Sequence, residues 1–147
     1  AINGELDTQI DITNLDEDVK PIANNINNFA FQVRDAILDI NDNLNKLSDG
    51  NFQAEITEEY QGAFEVAKDA TNNLGKYLNF LIEDSNTMNE AAKVGELDVR
   101  IDANKYQGDF QKIADGVNDT METTVGNMRL VGENLDRLSN GDFQANK

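Results

Sequence analysis

The stretch LSDGNFQAEI, residues 47–56, follows a long segment with helical apolar spacing and ends in a short extended pattern. Gly50 can adopt the left-handed backbone conformation that commonly ends a helix. Phe52 and Ile56 follow at an even spacing, which places both side chains on one side of an extended segment. The stretch therefore predicts a helix end followed by a connector with two apolar residues.

The same pattern recurs along the chain. The repeated glycines are Gly4, Gly50, Gly95 and Gly141, at intervals of 46, 45 and 46 residues. Each of the first three is followed by one apolar residue two places on and by another four places later. These connector residues are Leu6, Ile10, Phe52, Ile56, Leu97 and Ile101, and the fourth copy keeps Phe143. Such a fixed period predicts an array of structural repeats.

The helices between the connectors are predicted to have equal lengths. Aligning EYQGAF with KYQGDF sets Gly62 opposite Gly108, and Glu17 in LDEDV takes the matching position. From each of these markers to the next repeat glycine is 33 residues, whereas the connectors have 13, 12 and 13 residues. Asp16 and Glu17 are the predicted helix-start motif, because acidic residues suit a helix N-terminus.

Apolar residues within the 33-residue segments recur at steps of three and four, which indicates amphipathic helices with a coiled-coil bias. In the middle segment, Thr71 and Ser85 stand in this stripe, so this segment is predicted to be the most loosely packed. The stripe of the first segment consists of Val19, Ile22, Ile26, Ala30, Val33, Ile37, Ile40, Leu44 and Leu47.

The lengths of these elements predict how they are arranged. A helix of about 32 residues is about 48 Å long, and a connector of about 13 residues reaches about 43 Å. The connector can run back beside the helix, so that the next helix starts in the same direction. We therefore expect an all-α fold of long parallel helices joined by extended connectors. Two such helices leave an open groove, and a second copy would close a parallel four-helix bundle as a homodimer.

These features resemble the HAMP domains of bacterial chemoreceptors and sensor histidine kinases. The shared pattern is a helix, a Gly-x-(Leu/Phe)-x-x-x-Ile connector and a second helix, and LDEDV resembles the Asp-Glu motif that opens the second HAMP helix. VGELDVRIDANKYQGDF is similar to concatenated HAMP arrays of methyl-accepting chemotaxis proteins. Two features depart from the pattern: Pro21 lies near the start of a second helix, and two repeats carry YQG in place of Asp-Glu.

The resemblance implies HAMP-type parallel four-helix bundles and a signal-relay function. The implied units are 1–33 (with a truncated first helix), 34–79, 80–124 and the start of a fourth at 125–147. The implied function is an intracellular relay in a chemoreceptor, which transmits conformational change between a sensory input and a kinase-control output by alternating bundle packing. The implied partners are a second copy and the neighbouring sensory and signalling domains, in a cytoplasmic segment of a receptor that is membrane-anchored elsewhere or soluble.

Composition argues against several other classes. The net charge of −16 argues against nucleic-acid binding. The sequence contains no run of about 20 apolar residues, so no transmembrane segment is predicted. The chain has no His and no Cys, which removes the usual general base, the thiol nucleophile and most zinc sites. The acidic loops do not fit calcium, because setting Gly50 at the sixth loop position puts Ile56 where an oxygen ligand is required. We expect no catalysis, no metal site and no cofactor.

Two alternatives remain at this point. Three helices of this length could fold up and down as an antiparallel bundle, which would suit a ligand-binding sensor domain. Such hairpins need only a few connecting residues, and the connectors here are longer. A passive coiled-coil spacer is the other alternative, but it does not explain the repeated connectors.

Overall fold

A computed structural model describes residues 7–141 of the chain. It contains three long helices, α1 (Lys20–Ser48), α2 (Ala63–Lys93) and α3 (Asp109–Ser139), and a 3-10 turn at Ala103–Lys105. The described part of the chain has no strand. The predicted all-α fold class is confirmed.

The helix lengths follow the repeat, with one local deviation. α2 and α3 each have 31 residues and begin directly after Gly62 and Gly108. α1 has 29 residues and begins correspondingly later than the spacing predicts. Pro21 explains the deviation, because it has no N–H to donate to the carbonyl of Glu17 four residues earlier. Asp16 and Glu17, expected at the helix start, lie just before the helix.

The end of α1 shows why a glycine stands at this point of the repeat. The amide of Gly50 donates to the carbonyl of Leu47 (3.0 Å), and the amide of Asn51 donates to the carbonyl of Lys46 (2.9 Å). This pattern closes a helix when the residue after it is left-handed, and Gly50 has a φ of 86°. Glycine adopts this conformation without the steric cost that a Cβ would add.

The second and third connectors differ in length by one residue, and the structure shows where the longer one accommodates it. Three residues stand between Ile56 and Tyr60, whereas four stand between Ile101 and Tyr106. The 3-10 turn lies inside the longer interval, and the Asp102 side chain caps it by accepting a backbone hydrogen bond. The sequence predicted extended connectors and did not predict this turn. The turn takes up the extra residue locally.

The chain divides into two compact units, the first ending at Lys76 and the second beginning at Tyr77. We refer to their described parts as the N-terminal unit (7–76) and the C-terminal unit (77–141). The division falls within α2, so α2 contributes residues to both units. The four repeat units set out above remain a prediction.

In the N-terminal unit the paired segments of α1 and α2 run in the same direction. Asp39 in α1 meets Tyr60, which comes shortly before α2 begins. Leu47, further along α1, lies against Gly75, which is further along α2. Advancing along one helix therefore means advancing along the other, as in the predicted parallel arrangement and unlike an antiparallel hairpin.

The C-terminal unit has the same orientation. Tyr77 in α2 meets Phe110 in the first turn of α3, with their ring centroids 5.5 Å apart. Met88, later in α2, belongs to the same apolar cluster as Met121, later in α3. This cluster, the C-terminal core, has Met88, Ile101, Tyr106 and Ala114 at its centre. Around them lie Tyr77, Phe80, Leu81, Val99, Ala103, Phe110, Val117 and Met121.

Gly75 marks a close approach between α2 and the second connector, which follows Gly50. A Cβ at this position would lie 3.0 Å from Cδ2 of Leu47 and 3.3 Å from the carbonyl oxygen of Phe52. At Gly126 in α3, by contrast, no other group would lie within 4 Å of a Cβ. The two helical glycines therefore differ in the space around them.

This difference predicts opposite effects of alanine. Alanine in a helix interior is favoured over glycine by about 0.5–1 kcal/mol, so Gly126→Ala should raise the free energy of unfolding by about that amount. Gly75→Ala should lower it, because the connector carbonyl and the Leu47 side chain must move. Denaturant unfolding followed by circular dichroism measures both values. An equal gain in the two variants would contradict the close approach.

Candidate functional site: the connector clamps

The predicted connector residues differ in how deeply they are buried. Ile56 and Ile101 are only 5% and 4% exposed, whereas Ile10 is 40% exposed. Phe52 and Leu97 are half-buried. In the second and third connectors, the residue six places after the glycine is thus the more deeply buried of the pair.

The remaining predicted residues are placed as follows. Gly4 and Leu6 lie outside the described residues. Asp16 and Glu17 are exposed, and the carboxylate of Glu17 pairs with Lys20 at 2.6 Å. The other repeat glycines directly follow the turns that end the three helices, with φ values of 86°, 84° and 80° for Gly50, Gly95 and Gly141.

An asparagine side chain binds the backbone of each buried connector isoleucine. Nδ2 of Asn72 donates to the carbonyl of Ile56 at 3.0 Å, and the amide of Ile56 donates to Oδ1 of Asn72 at 2.9 Å. Asn118 holds Ile101 in the same way, with both distances 2.8 Å. A lone extended segment needs partners for its backbone groups, and one asparagine supplies both. We call each such pair a connector clamp.

The first connector has the same clamp in a more exposed form. Nδ2 of Asn27 donates to the carbonyl of Ile10 at 2.9 Å, and the amide of Ile10 donates back at 2.8 Å. All three asparagines lie ten residues after the helix-start markers Glu17, Gly62 and Gly108. Sequence reasoning missed these residues, although their equal spacing was the signal that could have found them.

A second attachment joins the end of each of the last two connectors to the preceding helix. The hydroxyl of Tyr60 donates to the carboxylate of Asp39, and the hydroxyl of Tyr106 donates to Oδ2 of Asp84 at 2.7 Å. Lys105 also pairs with Asp84, at 3.2 Å. We call the tyrosine–aspartate pair the tyrosine lock. It uses the tyrosine of the YQG sequence that stands in place of the Asp-Glu motif.

Both locking tyrosines are held in the neutral form. Burial raises the pKa of Tyr60 to about 12, and the bonded carboxylate of Asp39 adds to the rise. Burial and the carboxylate of Asp84 raise the pKa of Tyr106 in the same direction. The neutral phenol is the hydrogen-bond donor, so the environment favours the form that makes the lock.

The later connector has a further attachment through Arg100. Its guanidinium donates to the carbonyls of Leu97 and Val99 at 2.7 and 2.9 Å. It also pairs with Glu122 in α3 at 2.7 Å. The guanidinium thus joins the start of this connector to the helix that follows it.

The sequence profile of the HAMP domain family matches residues 18–80 and 105–146, together more than half of the chain. The chain belongs to the HAMP domain family. A search of curated proteins and a search of solved structures found no match.

Membership defines what kind of module this is. HAMP domains are signal-relay modules rather than catalytic domains, and they function in dimeric signalling proteins beside neighbouring domains. Within residues 7–141, no helix combines the length and apolar character needed to cross a membrane. The clamps and locks therefore belong to a signal-relay module.

The clamp predicts a specific loss of stability in Asn72→Asp. Aspartate lacks the Nδ2 donor and brings a carboxylate towards the Ile56 carbonyl, which leaves that carbonyl without a partner. We expect the free energy of unfolding to fall by about 1–3 kcal/mol. The neighbouring Asn73 is exposed, so Asn73→Asp is a matched control that makes the same chemical change. Similar losses in both variants, measured by denaturant unfolding, would contradict the clamp.

The locks predict that stability falls at high pH. Folding raises the pKa of Tyr60 from 10.0 to about 12, so its contribution is complete below about pH 10. The contribution is lost as the pH rises through about 12, because the unfolded chain releases the phenol proton first. Denaturant unfolding at several pH values in this interval should show the fall. In the Tyr60→Phe, Tyr106→Phe double variant, which keeps all lysines, the fall should be smaller, and an unchanged pH profile would contradict the locks.

Proposed function

We propose that the chain is an intracellular relay module of a chemoreceptor, which passes conformational change from a sensory input to a kinase-control output. The observation that carries the proposal is that α2 holds two connectors. Asn72 in α2 clamps the second connector through Ile56, and Asp84 in the same helix locks the third through Tyr106. In this proposal, a displacement of α2 acts on both attachments.

Burial of the apolar connector side chains supplies the free energy that would couple the two attachments. Phe52 with Ile56, and Leu97 with Ile101, act as plugs that dock between the helices of their unit. Burying one such side chain stabilises by about 1.5–3 kcal/mol, which is comparable with coupling energies of about 1–3 kcal/mol between sites. Undocking of a plug can therefore shift the packing of a helix pair without unfolding the chain. Gly50 and Gly95 supply the turns that lead into these plugs.

The active form in this proposal is a parallel homodimer. Apolar residues on the helices of one chain stay exposed along stripes with steps of three and four, which indicates a seam for another helix. In α3 these residues are Met128, Val131, Leu135 and Leu138, all at least half exposed. A second copy would cover the stripes and complete a four-helix bundle in each repeat.

The proposed organisation follows the repeat. Units 34–79 and 80–124 are complete relay units, 1–33 is a unit with a truncated first helix, and 125–147 begins a fourth. The array operates in the cytoplasm between a sensory domain and a signalling domain of the same protein. Alternating packing of successive units would carry the signal along it.

The homodimer can be tested by cysteine cross-linking, since the chain has no native cysteine. Leu135→Cys places a thiol in the exposed stripe of α3, and Glu133→Cys places one outside the stripe on the same helix. In a parallel, in-register dimer the two copies of position 135 face each other. We expect mild oxidation to link the Leu135→Cys chains rapidly and selectively, as measured on a non-reducing gel.

The Glu133→Cys control distinguishes the outcomes that would contradict the homodimer. Equal linking of the Glu133→Cys and Leu135→Cys chains would indicate random collision and contradict the in-register dimer. A monomeric mass with no linking at either position would contradict the dimer and the relay built on it.

A further inference from the structure

The two units attach their connectors in the same way, but the side chains at their core positions differ. The constant repeat makes a residue-by-residue comparison possible. Residues in the C-terminal part of α1 align with residues of α2 that lie 45 positions further along the chain. Residues in the N-terminal part of α2 align with residues of α3 that lie 46 positions further along. Each helical member of the C-terminal core therefore has a defined counterpart in the N-terminal unit.

At the centre of the core, apolar residues are replaced by polar ones. Asn43 takes the place of Met88, and Lys68 takes the place of Ala114, which is fully buried in the C-terminal unit. Asn43 is only 3% exposed, and its Oδ1 has no hydrogen-bond partner. A buried acceptor without a partner lowers stability, because it has lost its bonds to water.

The side chains around the centre differ in the same direction. In the C-terminal unit, the rings of Tyr77, Phe80, Tyr106 and Phe110 contact one another, with centroids 5.5 to 6.5 Å apart. Such aromatic pairs stabilise beyond the apolar area they bury. The counterparts of Tyr77 and Phe80 in the N-terminal unit are Gln32 and Asp35.

Two more aligned positions differ between the units. Thr71 replaces Val117 in the helix that follows the connector, and its hydroxyl bonds back to the carbonyl of Ala67 at 2.8 Å. Glu55 stands where Arg100 ties down the later connector. Apart from the clamp and the lock, Nζ of Lys68 donates to the Glu58 carbonyl of the second connector at 3.0 Å, but nothing there corresponds to the two carbonyl bonds of Arg100 in the third connector.

We propose that the N-terminal unit is the part of the chain that opens, and that the C-terminal unit stays closed under the same conditions. Opening means that the second connector leaves the α1–α2 pair and the clamp between Ile56 and Asn72 breaks. Local opening free energies vary within one protein and are lowest where buried apolar contacts are few. The inference rests on the proposed relay function, in which it assigns the responsive role to one unit.

The two clamps provide matched probes for the test. The amides of Ile56 and Ile101 make the same bond to an asparagine Oδ1, at 2.9 and 2.8 Å. Hydrogen exchange of the whole chain, followed by NMR, measures the opening of each clamp after correction for the intrinsic exchange rates. We expect the Ile56 amide to exchange at least tenfold faster than the Ile101 amide. Equal protection, or slower exchange at Ile56, would overturn the proposal.

A transplant of core residues tests the cause. The Asn43→Met, Lys68→Ala, Thr71→Val variant gives the N-terminal unit the side chains of the C-terminal core. Exchange at Ile56 should slow at least tenfold, towards the rate of Ile101. The control Asp69→Asn changes an exposed side chain of α2 and should alter the Ile56 rate less than twofold. An Ile56 rate that the transplant leaves unchanged would overturn the proposal.

The same spectra test the opening of the N-terminal unit and the proposed relay separately. A transplant that slows exchange at Ile56 and also changes the rate at Ile101 supports both the opening unit and the coupling through α2. A transplant that slows Ile56 alone supports the opening unit and contradicts the coupling. The failure of the proposed function is therefore visible independently of the failure of this inference.

Discussion

The connector clamp is the interaction on which each unit depends. A connector that returns along a pair of parallel helices must be extended, and an extended backbone exposes a donor and an acceptor at each residue. The asparagine carboxamide presents an N–H donor and a C=O acceptor side by side, as a peptide group does, and the second N–H of its NH₂ group is not needed for the clamp. Fixed on a helix, Asn72 or Asn118 acts like the edge of a neighbouring strand. The isoleucine that it binds is held with its side chain buried and both backbone groups satisfied.

The other attachments complete what the clamp begins. The left-handed turn at Gly50 sets the direction in which the connector leaves α1. The tyrosine lock between Tyr60 and Asp39 fixes the connector again, two residues before the marker at which α2 begins. A segment held at its start, middle and end has little freedom left, so the next helix begins beside the previous one and runs the same way. Membership of the HAMP family agrees with this construction.

Local sequence signals predicted most of the fold. The glycine interval, the three-and-four apolar spacing and the constant 33-residue segment depend on neighbours along the chain, and they predicted three long helices and their approximate ends. The late start of α1 also has a local cause in Pro21, whose missing N–H removes one helical bond. The 3-10 turn was not predicted, because a connector with one extra residue can take it up in several ways.

The site was harder to predict, because its contacts join residues far apart in sequence. Asn72 reaches Ile56 across 16 residues, and Tyr106 reaches Asp84 across 22. In an acidic, polar chain these asparagines and aspartates resemble solvated surface residues. Asn43, which is only 3% exposed, was also not predicted, because it stands outside the apolar stripe of its segment. Comparing all three copies by position would have revealed the clamps, because only those asparagines recur in register.

The 3-10 turn also has a consequence for how the length of this chain can change. A residue added between Ile101 and Tyr106 is taken up within one turn, and both attachments on either side persist. A residue added within a helix would instead rotate every later side chain by about 100° about the helix axis. A one-residue change in a connector therefore leaves the spacing within the helices intact, whereas a change inside a helix keeps the apolar stripe in phase only when it spans about seven residues. Related arrays should differ in connector length and in the number of repeats, and they should keep the spacing within each helix.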